Sequence, residues 1–226
     1  MKRGQWEDHY TRRARKENWP ARSVFKLQEI DTKYKLIRRA DRLLDLGCYP
    51  GSWSLYGLKK TGSRGNVVGV DLKEPHRLSA PNFRFVKADV LRLDAAWLKK
   101  EIGPCDAVIS DLAPKTTGIR VTDASRSLEL AQSALNIARV LLKNGGRFLC
   151  KAFESEETKP FRASFSLYFR QSRIIRPSAV RKASREIYLL GLDFMKPNGD
   201  NQEQGNPHGR ISAQWSYQNQ AGPIQD

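Results

Sequence analysis

Acidic residues recur just past short apolar runs, joined by one lysine, and that placement suits chemistry at a single edge of a sheet. The stretch Asp45-Leu46-Gly47-Cys48-Tyr49-Pro50-Gly51-Ser52-Trp53-Ser54 closes one such run with a glycine-bearing turn. Where a turn of this kind joins a strand to a helix, glycine lets the backbone approach a ligand and the helix offers free N–H groups. The D-x-G-x-x-x-G spacing differs from the three-glycine dinucleotide fingerprint and suits a ligand without phosphates; a purely structural tight turn is the competing reading. Asp71, after Val67-Val68-Gly69-Val70, is placed to accept hydrogen bonds from ribose hydroxyls, and Asp89, after Val86-Lys87-Ala88, to meet an adenine amino group. Each acid alone is as readily a loop residue or a helix cap. Together with Gly47 and Gly51 they point to adenosine recognition.

Asp111 follows Val108-Ile109-Ser110, and Lys151 follows Phe148-Leu149-Cys150, so both are expected to leave the same carboxyl edge. A lysine directly beyond buried apolar residues is costly unless paired or functional. Glu186 opens a late apolar run after a basic loop and would oppose Lys151 if its strand enters antiparallel; the alternative is a surface ion pair of little worth. His9, His76 and His208 are scattered, and Cys48, Cys105 and Cys150 form no C-x-x-C pair, so buried thiols are expected and no metal site.

To place these side chains together, the chain needs parallel strands ending at one edge. Apolar runs at Arg42–Leu46, Asn66–Val70, Phe83–Val86, Asp106–Ser110 and Arg147–Lys151 alternate with helical patterns, the signature of a parallel α/β sheet. Two later strands, around Arg173–Arg176 and Glu186–Leu190, would complete it. The clearest helix spans about Asp123–Lys143, with Leu128, Ala131, Leu135, Ala138 and Leu142 at helical steps and Gly145-Gly146 as its expected stop. Ahead of the sheet, Pro20 suits the first turn of an amphipathic helix reaching about Tyr34, with Val24, Leu27 and Ile30 on one side and Arg22, Lys26, Glu29 and Lys33 on another. The expected organisation is a basic helical extension over 1–40, a core domain over 41–195, and a polar, disordered tail over 196–226.

The charge balance narrows the partners. Against 24 acids stand 40 Lys and Arg, a formal net charge of +16 over 226 residues. Residues 1–40 hold 12 cations against 5 acids, and Arg170–Arg185 holds six cations and no acid. Such a field attracts polyanions, and nucleic acid is the partner favoured over mere solubility, with Tyr10, Trp19, Phe25 and Tyr168 in or beside the clusters as candidate stacking surfaces. No run approaches the ~20 apolar residues of a membrane span, and the basic start leads into Gln5-Trp6-Glu7-Asp8 rather than a signal sequence, so a cytoplasmic protein, read as a monomer, is expected.

The turn at Asp45–Ser54, Ser110-Asp111-Leu112-Ala113-Pro114, Phe148-Leu149-Cys150-Lys151 and Ser184-Arg185-Glu186-Ile187-Tyr188 resemble, in order, the motifs of the FtsJ/RrmJ family of S-adenosylmethionine-dependent ribose 2′-O-methyltransferases. Arg22-Ser23-Val24-Phe25-Lys26-Leu27-Gln28-Glu29-Ile30 resembles the family's leading motif, and the match is collinear from about residue 5 to 192. The chain departs from the family pattern at Cys48-Tyr49, where two alanines are usual, at Ser52, where a second glycine is common, and at Lys115.

The resemblance implies a Rossmann-like methyltransferase fold, a mostly parallel seven-stranded sheet with helices on both faces. It implies S-adenosylmethionine as cofactor, held through Gly47, Gly51, Trp53, Asp71, Asp89 and Asp111. It also implies a catalytic tetrad of Lys26, Asp111, Lys151 and Glu186, with Lys151 as proton acceptor. Lys26 nearby would disfavour a second positive charge on Lys151, whereas the two carboxylates oppose that effect. The expected substrate is a uridine in the A-loop of 23S rRNA in the 50S subunit; the alternatives are a tRNA anticodon loop, or an RNA-binding ribosome-assembly factor that has lost catalysis.

Overall fold

In the computed structural model, which describes residues 9–75, 78–181 and 183–196, the apolar runs become β1 (Arg42–Leu46), β2 (Asn66–Asp71), β3 (Phe83–Lys87), β4 (Cys105–Ser110), β5 (Leu142–Phe153), β6 (Phe169–Ile175) and β7 (Glu186–Phe194). They form one seven-stranded sheet in the order β3-β2-β1-β4-β5-β7-β6. Strands β1 to β5 are parallel, and β7 is antiparallel to both its neighbours. Between the strands run α3 (Ser52–Thr61), α4 (Ala95–Ile102), α5 (Arg120–Leu141) and α6 (Thr158–Ser166), and α1 (His9–Lys16) and α2 (Val24–Tyr34) precede the sheet.

Side chains alternate across a strand, so each strand feeds two cores. Leu44, Leu46, Val108, Phe148 and Cys150 pack with Leu98, Ala131, Leu135 and Phe165 of α4, α5 and α6 on one face. Leu43, Ala107, Ile109 and Leu149 pack with Val24, Leu27, Ile30, Trp53 and Tyr56 of α2 and α3 on the other. Burial on both faces is why the central strands read as nearly continuous apolar runs. This is the expected mostly parallel α/β architecture. The leading helices belong to the same compact unit as the sheet; residues 1–8 of the expected basic extension and the tail beyond Lys196 lie outside the described residues. No helix among the described residues is long and apolar enough to cross a membrane.

Local readings needed correction at two helix ends. Gly145-Gly146 does not stop α5, which ends where Leu142 turns extended (φ −65°, ψ 138°) and pairs with Cys105 at the foot of β4. Leu142 is buried there, and its burial decides the boundary. Residues 143–146 instead form an irregularity between the pairs Cys105–Leu142 and Ala107–Arg147, where Gly145 takes φ +76°, a conformation glycine adopts without steric cost. Pro20 likewise lies outside α2, which starts at Val24 after a tight lead-in through Ala21 and Arg22. Ser52 holds that lead-in, accepting from Ala21 N (2.6 Å) and donating to Ala21 O (3.2 Å). At this departure from the family pattern, the serine ties the glycine turn to the leading segment.

Candidate active site

Register brings the reactive residues to one edge. Leu46 lies opposite Val70 on β2 and Ser110 on β4, and Ser110 lies opposite Cys150 on β5. The next residues, Gly47, Asp71, Asp111 and Lys151, therefore emerge side by side. Because β7 enters antiparallel at the same edge, Tyr188 lies opposite Lys151, and Glu186 opposite Phe153. The expectation that Glu186 faces Lys151 is corrected by this register; Glu186 meets the leading helix instead.

Lys151 Nζ contacts Asp111 twice, at the backbone oxygen (2.6 Å) and at Oδ1 (2.9 Å). Lys26 reaches from α2 to place its Nζ 2.5 Å from Glu186 Oε1. The charged side of α2 thus turns one lysine into the site, with a side chain only 12% exposed. Tyr188 couples the two ion pairs: its hydroxyl lies 2.8 Å from Asp111 Oδ1 and 2.7 Å from Glu186 Oε1. A phenol carries one proton, so it donates to one carboxylate at a time. Burial first, then the two carboxylates beside it, hold the Tyr188 hydroxyl well above its ordinary pKa, so it stays protonated. Burial alone would raise the Asp111 carboxyl, but the ammonium groups of Lys151 and Lys26 and hydrogen bonds from Lys151 and Tyr188 outweigh it and hold it below the usual value. All four expected tetrad residues therefore meet, and Tyr188 joins them.

Beside the tetrad opens a cleft of about 310 Å³ lined by Gly47, Tyr49, Asp71, Asp89, Asp111 and Leu112 among others. Asp71 is fixed by backbone N–H groups, from Tyr49 to Oδ2 and from Lys73 to Oδ1, both at 3.0 Å. Asp89 Oδ1 accepts from Leu91 N at 3.0 Å. Gly47 has φ +81°, and a Cβ there would come within 2.8 Å of Leu112 Cδ2, so only glycine keeps the turn this close to the cleft wall. Tyr49, 41% exposed, stands at the cleft with Lys73 Nζ 5.7 Å from its ring centre.

Gly51 and Trp53 are not among the residues lining this cleft. Gly51 (φ +114°) packs toward Pro75 at the start of α3. Trp53 is buried, donates its indole N–H to Ser23 O (3.0 Å), and lies with its ring centre 5.9 Å from that of Tyr188. It supports the tetrad from within the core. Phe25 is likewise core, 4% exposed with Tyr10 packed 5.6 Å away and Arg13 4.3 Å above its ring, which removes it as a stacking surface for bases.

One residue of consequence lies directly beneath the turn. Asp45 is fully buried; Ser54 donates to its Oδ2 at 2.6 Å, and its Oδ1 has no hydrogen-bond partner among the described residues. Burial first, with the charges of Asp111 and Asp71 adding to it and the Ser54 hydrogen bond opposing, raises the Asp45 carboxyl to about 7. Its signal in the sequence is a lone acid inside Arg42-Leu43-Leu44-Asp45-Leu46; that of Tyr188 is an aromatic with a polar tip two residues after Glu186.

A family model described as FtsJ-like methyltransferase matches residues 19–194. Proteins named ribosomal RNA large subunit methyltransferase E are similar over nearly their whole length. The one from Bdellovibrio bacteriovorus is 47% identical, covering 82% of this chain and 95% of its own. The one from Desulforapulum autotrophicum is 44% identical, covering 84% and 94%. Among solved structures, a Plasmodium falciparum protein provisionally named a ribosomal RNA methyltransferase superposes with a TM-score of 0.69 at 25% identity, covering 79% of this chain and 100% of its own. With the family model matching residues 19–194 and relatives at 44–47% identity over nearly their whole length, the chain belongs to the FtsJ-like methyltransferase family, whose chemistry implies a methyl donor of the S-adenosylmethionine type.

Proposed function

We propose that this protein methylates the ribose 2′-hydroxyl of a uridine in the A-loop of 23S rRNA, within the 50S subunit, using S-adenosylmethionine. The names of the relatives support large-subunit rRNA as substrate, and the net charge of +16 suits a polyanion. The observation that carries the chemistry is how Lys151 is held. The backbone oxygen and Oδ1 of Asp111 take two of the positions around the Lys151 Nζ, which leaves the third for a substrate hydroxyl.

The residues present fit the cofactor: the Gly47 turn approaches the cleft where a Cβ would collide, and Asp71 and Asp89 present carboxylates to one space. In this reading Gly47, Asp71, Asp89 and Asp111 hold the donor directly, and Gly51 and Trp53 act through the turn and the core. When bound, the donor supplies an electrophilic methyl carbon on a sulfonium. The protein must then orient a weak nucleophile and take its proton as the new C–O bond forms. Lys151 accepts that proton from the ribose oxygen. Lys26, tied to Glu186, and Tyr188, between the two carboxylates, keep the cluster in place, and Lys26 lends positive charge beside the developing alkoxide.

The reading is tested by mapping methylated riboses in RNA from cells with and without the protein; an unchanged map overturns it. Asp71→Ala is expected to weaken S-adenosylmethionine binding about 10-fold or more, since hydrogen bonds to a charged acceptor contribute ~1.5–3 kcal/mol; calorimetry showing full affinity would remove Asp71 from the site. RNA affinity, carried by cations of residues 1–40 and Arg170–Arg185, is expected to fall on the order of 10³-fold between 50 and 200 mM salt. Neutralising several of those cations without change in affinity or salt slope would place the RNA elsewhere.

A further inference from the structure

Away from the reaction edge, a groove of about 570 Å³ runs between α6 and β6. It is lined by Lys159, Arg162, Ser172 and Arg173, with apolar Phe165 and Leu189 among its other lining residues. No carboxylate among the described residues lines it. Among the described residues Arg162 and Arg173 have no carboxylate partner. Lys159 pairs with Glu156 at 2.5 Å, but both side chains are largely solvated, and such a pair holds its charge only weakly. Lys159 and Arg162 are three residues apart on one helix and so share a side of it, which sets the cations in a row.

β6 is the last strand of the sheet, with β7 as its neighbour. Its outer edge presents main-chain N–H groups that no strand among the described residues takes up, and backbone N–H groups are regular partners of phosphate oxygens. The groove is also close to the chemistry. Arg173 pairs with Leu190, two residues along from the Ile175–Tyr188 pair, and Tyr188 pairs with Lys151. Two residues along and two strands across put the backbones of Arg173 and Lys151 on the order of 12 Å apart. Leu189 of the groove and Tyr188 opposite Lys151 are adjacent on β7 and face opposite sides of the sheet, so a strand whose ribose lies at Lys151 reaches the groove by passing around the β6 edge.

We infer that the α6–β6 groove is a second docking site for the sugar–phosphate backbone of the RNA, gripping the substrate beyond the nucleotide being modified. The inference rests on the proposed RNA methylation. It makes the substrate an extended, folded RNA rather than the target loop alone. Arginines on an edge strand also discourage strand-to-strand aggregation, and that role needs no ligand; the experiment separates the two.

The full chain carrying R162E and R173E together is compared with the parent and with K99E/K100E on α4, which changes net charge equally. The probes are a long 23S rRNA fragment spanning the target and its flanks, and a short oligonucleotide containing only the target loop. The groove variant is expected to lose about 10-fold or more in affinity for the long RNA, with a salt slope lower by roughly two, near 0.9 per lost phosphate contact. Its affinity for the short RNA should change less than twofold, and its cofactor affinity and melting temperature should match the parent's. Equal losses on both RNAs, or on the long RNA in the α4 variant as well, would mean a general field effect and overturn the site. So would unchanged RNA affinity with weakened binding to 50S particles only, which would assign the groove to an acidic protein segment. If the parent neither binds nor methylates large-subunit RNA, the proposed function falls first and the docking site with it.

Discussion

Lys151→Ala is expected to lower the single-turnover methylation rate by about 10²–10⁴-fold, the range in which a positioned general base contributes, while leaving cofactor affinity within about twofold. The asymmetry follows from where the residue acts: Lys151 serves a proton that moves only in the transition state, and an interaction made only there lowers the rate without altering ground-state binding. Lys151→Arg discriminates between two mechanisms. Arginine keeps the positive charge beside Asp111 but does not deprotonate in a protein, so it should fail as completely as alanine if the lone pair matters and retain substantial rate if charge alone matters. Since Lys151 is ion-paired with the half-buried Asp111 carboxylate, melting curves and calorimetric cofactor binding are run beside the kinetics to separate lost chemistry from lost structure. Near-parent rates for Lys151→Ala would remove this residue from the mechanism.

The next largest effect concerns stability. The folded-state pKa of Asp45 lies at about 7, above that of an exposed aspartate near 3.9. Between those values the folded protein keeps a proton that the unfolded chain releases. The Asp45 contribution is therefore fully present below about pH 4 and lost as pH rises through about 7, and at full extent it is on the order of 4 kcal/mol. Asp45→Asn, which keeps shape and cannot ionise, should erase that slope. Denaturant titrations of both proteins from pH 4 to 8, without cofactor, should show the parent losing stability relative to the variant as pH rises. Parallel curves across that interval would show that Asp45 is ionised throughout or is not buried as described.

Much of the fold was legible because burial on both faces of a parallel sheet writes itself into the chain as short apolar runs. β1 matches its expected bounds, and β2, β3 and β4 differ by one residue at an end. The acids and the lysine just past those runs could be assigned to one edge for the same reason, because parallel strands all end on the same side. The stop of α5 was not legible, since Gly145-Gly146 satisfies a local rule that the burial of Leu142 overrides. Trp53 and Phe25 looked available because aromatic residues near a functional turn serve ligands and cores equally well, and only packing shows which.

What the sequence determined by itself was the strand order along the chain, the carboxyl-edge positions of Gly47, Asp71, Asp111 and Lys151, and the basic character of the surface, all of which are one-dimensional properties of pattern and charge. Pairings across the site were decided by tertiary structure. The antiparallel register of β7 sets Tyr188 rather than Glu186 opposite Lys151, and the docking of α2 carries Lys26 to Glu186 across 160 positions of chain. Those contacts depend on register and helix placement, where a shift of one residue turns a side chain to the other face, and no local preference in the sequence fixes that shift.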